Sequence, residues 1–154
     1  MIEPNEVYII NKLNFASQAN VLAKICTTLQ DVKGDPLDPY IFLEYVSKAL
    51  AFGRCIIFVT FNENQELNSC AVTLVNNVPS KGRILWIEWA WSDGKDLNLG
   101  KKVLKRMEEI AQKIEANTIA GAMQRGFGGV LRKYGFKVSY RVIEKEVKKN
   151  VEKD

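Results

Sequence analysis

ILWIEWAWSDGKDLNLGKKVLKRMEEIAQKIEA, residues 84–116, sets an apolar run, a short polar turn and an amphipathic run in immediate succession. Ile84 to Trp91 carries Ile, Leu and three Trp around one acidic residue, Glu88, a strand composition rich in aromatic and β-branched bulk. It predicts a buried strand. After the turn Ser92 to Asp96, Val103, Leu104, Met107, Ile110, Ala111 and Ile114 recur at three- and four-residue spacing. One face of a helix is then apolar while lysines and glutamates face water. The junction is the natural place for a ligand, because the first N–H groups of a helix lack intrahelical acceptors and carry the positive end of its dipole. Asn98 can cap that helix, Gly100 permits close approach to the backbone, and Lys95, Lys101 and Lys102 add positive charge. Such an end suits phosphate, although helix starts with nearby lysines are also common without a ligand.

Working outward, the 154 residues with 47% hydrophobic content make one globular domain over 1–147, with a charged tail at 148–154. The net charge of +4, from 22 basic and 18 acidic residues spread along the chain, gives mild attraction to anions and argues against nucleic acid as the partner. Cys26, Cys55 and Cys70 lie far apart in apolar segments, so they read as reduced core thiols and not as a disulfide framework or a metal site. The chain has no histidine, which removes Ser-His-Asp and Cys-His nucleophiles and most zinc and non-haem iron centres; no metal is expected. Acid–base work falls to Glu, Asp, Tyr, Lys, Cys or water. The start of the chain has no signal-peptide layout, and the longest apolar run, near Ile56 to Phe61, is far too short to cross a bilayer, so a cytoplasmic location and no membrane partner are expected.

In chain order, a short strand is expected from Val7, a helix over Phe15 to Gln30 with Asn14 or Ser17 as cap, and a second helix from Asp38-Pro39 to Gly53. The turn between these helices and its aspartates, Asp31, Asp35 and Asp38, can draw a cationic amine, though turn chemistry alone accounts for them. Cys55 to Phe61 and Leu67 to Val78 form a hairpin around Asn62 to Glu66. Beyond the central helix come a strand over Thr118 to Met123, a short helix over Phe127 to Tyr134 and a last strand over Val138 to Val147.

Lys95-Asp96-Leu97-Asn98-Leu99-Gly100, after a strand and opening a helix, resembles the pyrophosphate loop of the GNAT superfamily of N-acetyltransferases, Arg/Gln-x-x-Gly-x-Gly/Ala. Lys95 stands for the Arg or Gln and Asn98 for the middle glycine, while Gly100 fits. The order strand, helix, helix, three strands, helix, strand, helix, strand is similar to that family over about 7–147, and Gly135-Phe136 adds to the likeness. The resemblance implies an α/β (α+β) fold with a mixed, mainly antiparallel central sheet and helices on both faces. It implies acetyl-CoA as cosubstrate and an amine, of a small molecule or a peptide, as acceptor. The strand before the loop, which splays from the next one in the family, would hold the pantetheine arm at Trp89, Ala90 and Trp91; Lys95, Asp96, Leu97, Asn98, Leu99, Gly100 and Lys101 would hold the pyrophosphate.

Glu88, a carboxylate in an apolar strand, is the candidate to take the amine's proton, its desolvation favouring a raised pKa; an edge glutamate paired with a lysine is the plainer reading. Family members with an acid for the leaving thiolate usually place a Tyr five residues before the Phe of Gly-Phe. That position is Leu131 here, and Tyr134, a candidate of lesser fit, lies almost one helical turn on. Two other functions compete. One is a degenerate module of the same fold that binds coenzyme A or a protein without turnover. The other is RNA binding, since Arg125-Gly126-Phe127-Gly128-Gly129-Val130 resembles the start of the RNP1 motif, but Gly129 stands where a stacking aromatic is needed. The exposed hydrophobicity of the tryptophan-rich strand would suit a homodimer.

Overall fold

The structure, a computed structural model, describes residues 2–31, 37–96, 98–121, 135–137 and 145. The chain divides into two compact units, Met1–Gly121 and Ala122–Asp154. The helix expected over 127–134, the strand over 138–147, the RNP1-like segment, Leu131 and Tyr134 lie outside the described residues, as do Ala122 and Met123 at the end of the expected fifth strand.

Eight elements succeed one another in the first unit: β1 (Tyr8–Ile10), α1 (Phe15–Gln30), α2 (Pro39–Ala51), β2 (Cys55–Phe61), β3 (Leu67–Val78), β4 (Gly82–Ser92), α3 (Leu99–Lys113) and β5 (Thr118–Gly121). The five strands form one sheet in sequence order, antiparallel throughout except for the parallel pair β4–β5. Every residue of β2 is buried, because the strand is covered on both faces. Cys55, Ile57, Val59 and Phe61 turn to a cluster with Leu22, Ile25, Cys26 and Leu29 of α1 and Phe42, Val46 and Leu50 of α2. Ile56 and Phe58, one residue out of phase, turn to Val103 and Met107 of α3. The mixed, mainly antiparallel sheet with helices on both faces is therefore as the sequence predicts.

Local chemistry fixes the element ends. Asp38 Oδ1 accepts from the N–H groups of Tyr40 (2.9 Å) and Ile41 (3.2 Å), and Pro39 opens α2 where its missing N–H costs nothing. Gly53, at φ +69°, follows the C-terminus and donates to Leu50 O at 3.0 Å, a turn that favours glycine. Asn14 precedes α1 as expected, but its side chain makes no cap; Gln18 Oε1 instead accepts from the Asn14 N–H at 2.9 Å. In the β2–β3 turn, Asn62 Oδ1 accepts from the N–H groups of Asn64 and Glu66 at 2.9 and 3.0 Å. Cys26, Cys55 and Cys70 are free and buried, in line with the reading as core thiols. No helix among the described residues is long and apolar enough to cross a membrane.

Candidate active site

The site begins with a register change in β4. Thr73 of β3 faces Ile87, but Val72, its neighbour, faces Trp89, so Glu88 has no partner on β3 and forms a bulge. An inserted residue resets the alternation of side chains. Leu85 and Ile87 pack with the α3 cluster, whereas Trp86, Trp89 and Trp91 all pack with the α1–α2 cluster. Three tryptophans at spacings of three and two thereby share one face.

The other edge of β4 pairs with β5. Its parallel pairs with β5 run from Ile84↔Thr118 to Ile87↔Gly121, and that is the last pair among the described residues. Residues 89–92 remain paired with β3 through Val72↔Trp89, Ala71↔Ala90, Cys70↔Trp91 and Ser69↔Ser92. In a strand, alternate main-chain N–H and C=O groups point to opposite edges, so some of those of Trp89 to Trp91 turn away from β3, toward the edge that β5 takes at residues 84–87. Trp89 and Trp91 are half-buried and Ala90 is exposed.

The turn after β4 holds itself together. Asp93 N–H donates to Asn68 O at 3.0 Å, Gly94 N–H to Ser92 Oγ at 3.1 Å and Lys95 N–H to Asp93 Oδ1 at 3.0 Å. Gly94 takes φ +75°, which a side chain would strain. Asp96 then serves the helix start twice: its Oδ1 accepts from Asn98 N–H at 2.9 Å and its carbonyl from Leu99 N–H at 3.2 Å. Asn98 occupies the position before α3 but makes no side-chain cap, contrary to the sequence expectation, because its backbone is helical (φ −83°, ψ −15°) where a capping residue is extended. Leu99 is buried under the sheet, while Gly100, Lys95 and Lys101 are exposed. Lys102 turns elsewhere: its Nζ donates to Asn5 O at 3.3 Å and lies 4.0 Å from Glu6 Oε1. Leu97 lies outside the described residues.

Glu88 is not buried. The sequence predicts a desolvated carboxylate, but the bulge swings it out of the ladder to the rim of a cleft, where its side chain is exposed. Trp86 Nε1 donates to its Oε2 at 2.8 Å, so an indole takes the role that the plainer reading gave to a lysine. The cleft lies between β4 and the N-terminal half of α2, encloses about 350 Å³, and counts Asp38, Ile41, Phe42, Tyr45 and Trp89 among its walls. Phe42 and Tyr45 meet the Trp89 ring edgewise, with centroids 5.0 and 5.7 Å away. Burial pushes the Tyr45 phenol above its ordinary value, and the nearby Glu88 charge raises it further. Phe42 and Tyr45 stand three residues apart, a helical spacing that puts them on one face of α2 without revealing that they wall a cleft. The available sign was Asp38, a carboxylate one helical turn before Phe42.

A second, larger cleft of about 670 Å³ opens where β2 and β4 begin and α3 ends, with Arg54 and Arg83 in its wall. Arg83 Nη1 donates to Ile114 O at 2.7 Å, and Arg54 Nη2 to Asn76 Oδ1 at 3.4 Å. None of the residues expected to act on a ligand lies there.

No protein-family model matches the chain, and no curated protein sequence does. Solved structures do. A transcriptional regulator from Bacillus halodurans C-125 superposes with a TM-score of 0.71 at 15% identity, over 92% of this chain and all of its own. A predicted acetyltransferase with acetyl-CoA from Clostridium acetobutylicum gives 0.70 at 15% identity, over 92% and 96%. Glucosamine-6-phosphate N-acetyltransferase from Arabidopsis thaliana gives 0.66 at 15% identity, over 93% and 99%. At such identities the likeness is one of fold.

Proposed function

The chain has the GNAT fold, and on that premise we propose that it is an N-acyltransferase that moves an acetyl group from acetyl-CoA to an amine. The observation that carries this reading is the bulge at Glu88, which turns Trp86, Trp89 and Trp91 to one face of β4 and Glu88 itself to the rim of the cleft. The strand then runs directly into a turn and a helix start suited to anions.

Trp89, Ala90 and Trp91 would offer main-chain groups to the amide-bearing pantetheine arm. Lys95, Asp96, Leu97, Asn98, Leu99, Gly100 and Lys101 would surround the pyrophosphate, with Gly100 leaving the backbone open and Lys95 and Lys101 opposing its charge. When bound, a thioester supplies an activated carbonyl carbon, at which a C–N bond forms as the C–S bond breaks and sulfur leaves with the electron pair. Glu88 would accept the proton that the ammonium must lose before attack, directly or through a water, since its exposed carboxylate faces the cleft. Main-chain donors near the bulge would stabilise charge growing on the carbonyl oxygen. Tyr134 is proposed as the proton donor to the thiolate, with solvent as the substitute. The amine of a small molecule or a peptide is the partner; cytoplasmic operation and a homodimer are carried forward as part of the same proposal.

A second reading, a module of this fold without turnover, is favoured by the two carboxylates in the turn, Asp93 and Asp96, which weaken its attraction for phosphate. Melting temperature separates the two. Acetyl-CoA at 100 times its Kd should stabilise the protein by about 2.7 kcal/mol, with ATP as control, and a Gly100→Glu variant should lose the shift. Release of free thiol on adding an amine would then report transfer. No shift with acetyl-CoA or coenzyme A would overturn the transferase reading in favour of the module.

A further inference from the structure

We infer that the cleft between α2 and β4 takes an organic cation, a primary ammonium carried on a compact apolar body of about the size of an aryl ring. As the acceptor of acetyl transfer this rests on the function proposed above; as a binding site it does not.

The charge of the cleft is opposite to that of the molecule. The chain is +4 overall, yet among the described residues the cleft walls contain two carboxylates, Asp38 and Glu88, and no lysine or arginine. The two are not equivalent. Asp38 is committed to capping α2 through Oδ1, so it attracts a cation at a distance. Glu88 commits only Oε2, to Trp86, and Oε1 has no partner among the described residues. An ammonium can therefore make a charge-assisted hydrogen bond to Glu88 without displacing one already made.

The remaining walls specify what the ammonium is attached to. Phe42 and Tyr45 stand at 66° and 84° to Trp89, so the three rings make a corner and not a flat stack. A corner encloses a compact apolar group on two sides, and an indole is the best ring face for a cation within about 6 Å. Ile41, a wall of the cleft that is 67% exposed overall, leaves apolar area that a ligand of this kind would cover. At about 350 Å³ the cleft lies near the small end of ligand sites. A long polyamine would set its further charges against Ile41, where their desolvation is uncompensated.

The test uses the full chain and isothermal titration with four probes: 2-phenylethylamine, its neutral isostere 2-phenylethanol, the anion 3-phenylpropionate, and spermidine. 2-Phenylethylamine should bind at least tenfold more tightly than each of the others. Glu88→Gln, an isosteric change at an exposed site, should cost tenfold or more of that affinity, and Tyr45→Ala should cost a similar factor. Equal binding of the amine and the alcohol, tighter binding of spermidine, or an affinity unchanged in both variants would overturn the inference. A parallel melt with acetyl-CoA keeps the two proposals apart. Selective amine binding without an acetyl-CoA shift would sink the transferase function and leave the cation cleft standing; an acetyl-CoA shift without selective amine binding would do the reverse.

Discussion

Trp86 donates its indole N–H to Glu88 Oε2 over 2.8 Å, tying the one residue of β4 that has no partner on β3 to a side chain packed against the α1–α2 core. An exposed carboxylate is thereby held in one place at the rim of the cleft. Trp86→Phe keeps most of the buried ring and removes the donor. A hydrogen bond to a charged group is worth about 1.5–3 kcal/mol, so kcat/KM toward the acceptor amine should fall by roughly tenfold or more. The acetyl-CoA melting shift should stay as in the parent. Because Trp86 acts through Glu88, the substitution should add almost nothing in a Glu88→Gln background; additive losses in that double-mutant cycle would show that Trp86 matters only for packing.

The approach of β5 to β4 at Gly121 depends on a missing side chain. A Cβ on Gly121 would stand 2.9 Å from Ile87 O and 3.2 Å from Ile87 Cβ, and the first of these is main chain that cannot rotate away. Gly121→Ala should therefore push the parallel strands apart just below the bulge and destabilise the protein by about 1–3 kcal/mol, the usual range for overpacking. A lower urea midpoint with an unchanged slope checks it. An unaltered midpoint would mean that the two strands separate more easily than their pairing indicates.

The fold was legible because its signals are periodic: the doubly buried β2 and the apolar face Leu99, Val103, Met107 and Ala111 of α3 both follow from spacing. The site was legible only in part because its decisive features are aperiodic. Strict alternation from Trp86 would put Trp89 and Trp91 on the α3 face, and a one-residue bulge reverses that. The same bulge exposes Glu88, so composition, which suggested burial, misplaced it. Asn98 was a fair cap by residue type, but its backbone is already helical and Asp96 two residues earlier accepts from its N–H, local geometry that leaves no periodic trace. The cleft joins Asp38 and Phe42 to residues nearly fifty positions on, a juxtaposition that only the sheet supplies.

Asp96 carries a stabilising and an opposing role at one atom, and two substitutions separate them. Asp96→Ala leaves the Asn98 N–H without its acceptor and should cost about 1 kcal/mol of stability, as for other helix caps. Asp96→Asn keeps an acceptor oxygen and removes the charge. It should melt close to the parent while binding acetyl-CoA severalfold more tightly, because one negative charge beside the pyrophosphate is gone. If the asparagine variant bound acetyl-CoA more weakly, the carboxylate would have to be counted among the groups that hold the ligand.

Burial pushes the thiols of Cys55 and Cys70 up to about 12 from an ordinary value of 9.0. Between those limits the unfolded chain releases both protons and the folded chain keeps them, so the unfolded state binds fewer protons and stability must fall as pH rises. The contribution is fully present below pH 9 and disappears toward pH 12, with each thiol weakening the folding equilibrium by up to about tenfold per pH unit. Lysines and tyrosines also titrate in this window, so the informative quantity is a difference in slope. Urea midpoints measured from about pH 7 to about pH 10.5 should fall more steeply for the parent than for Cys70→Ala, whose starting midpoint is lower because of the cavity left between β2 and β4. Parallel lines for parent and variant would mean that the Cys70 thiol ionises as readily in the folded chain as in the unfolded one, and that its burial, at 2% exposure, does not keep water out.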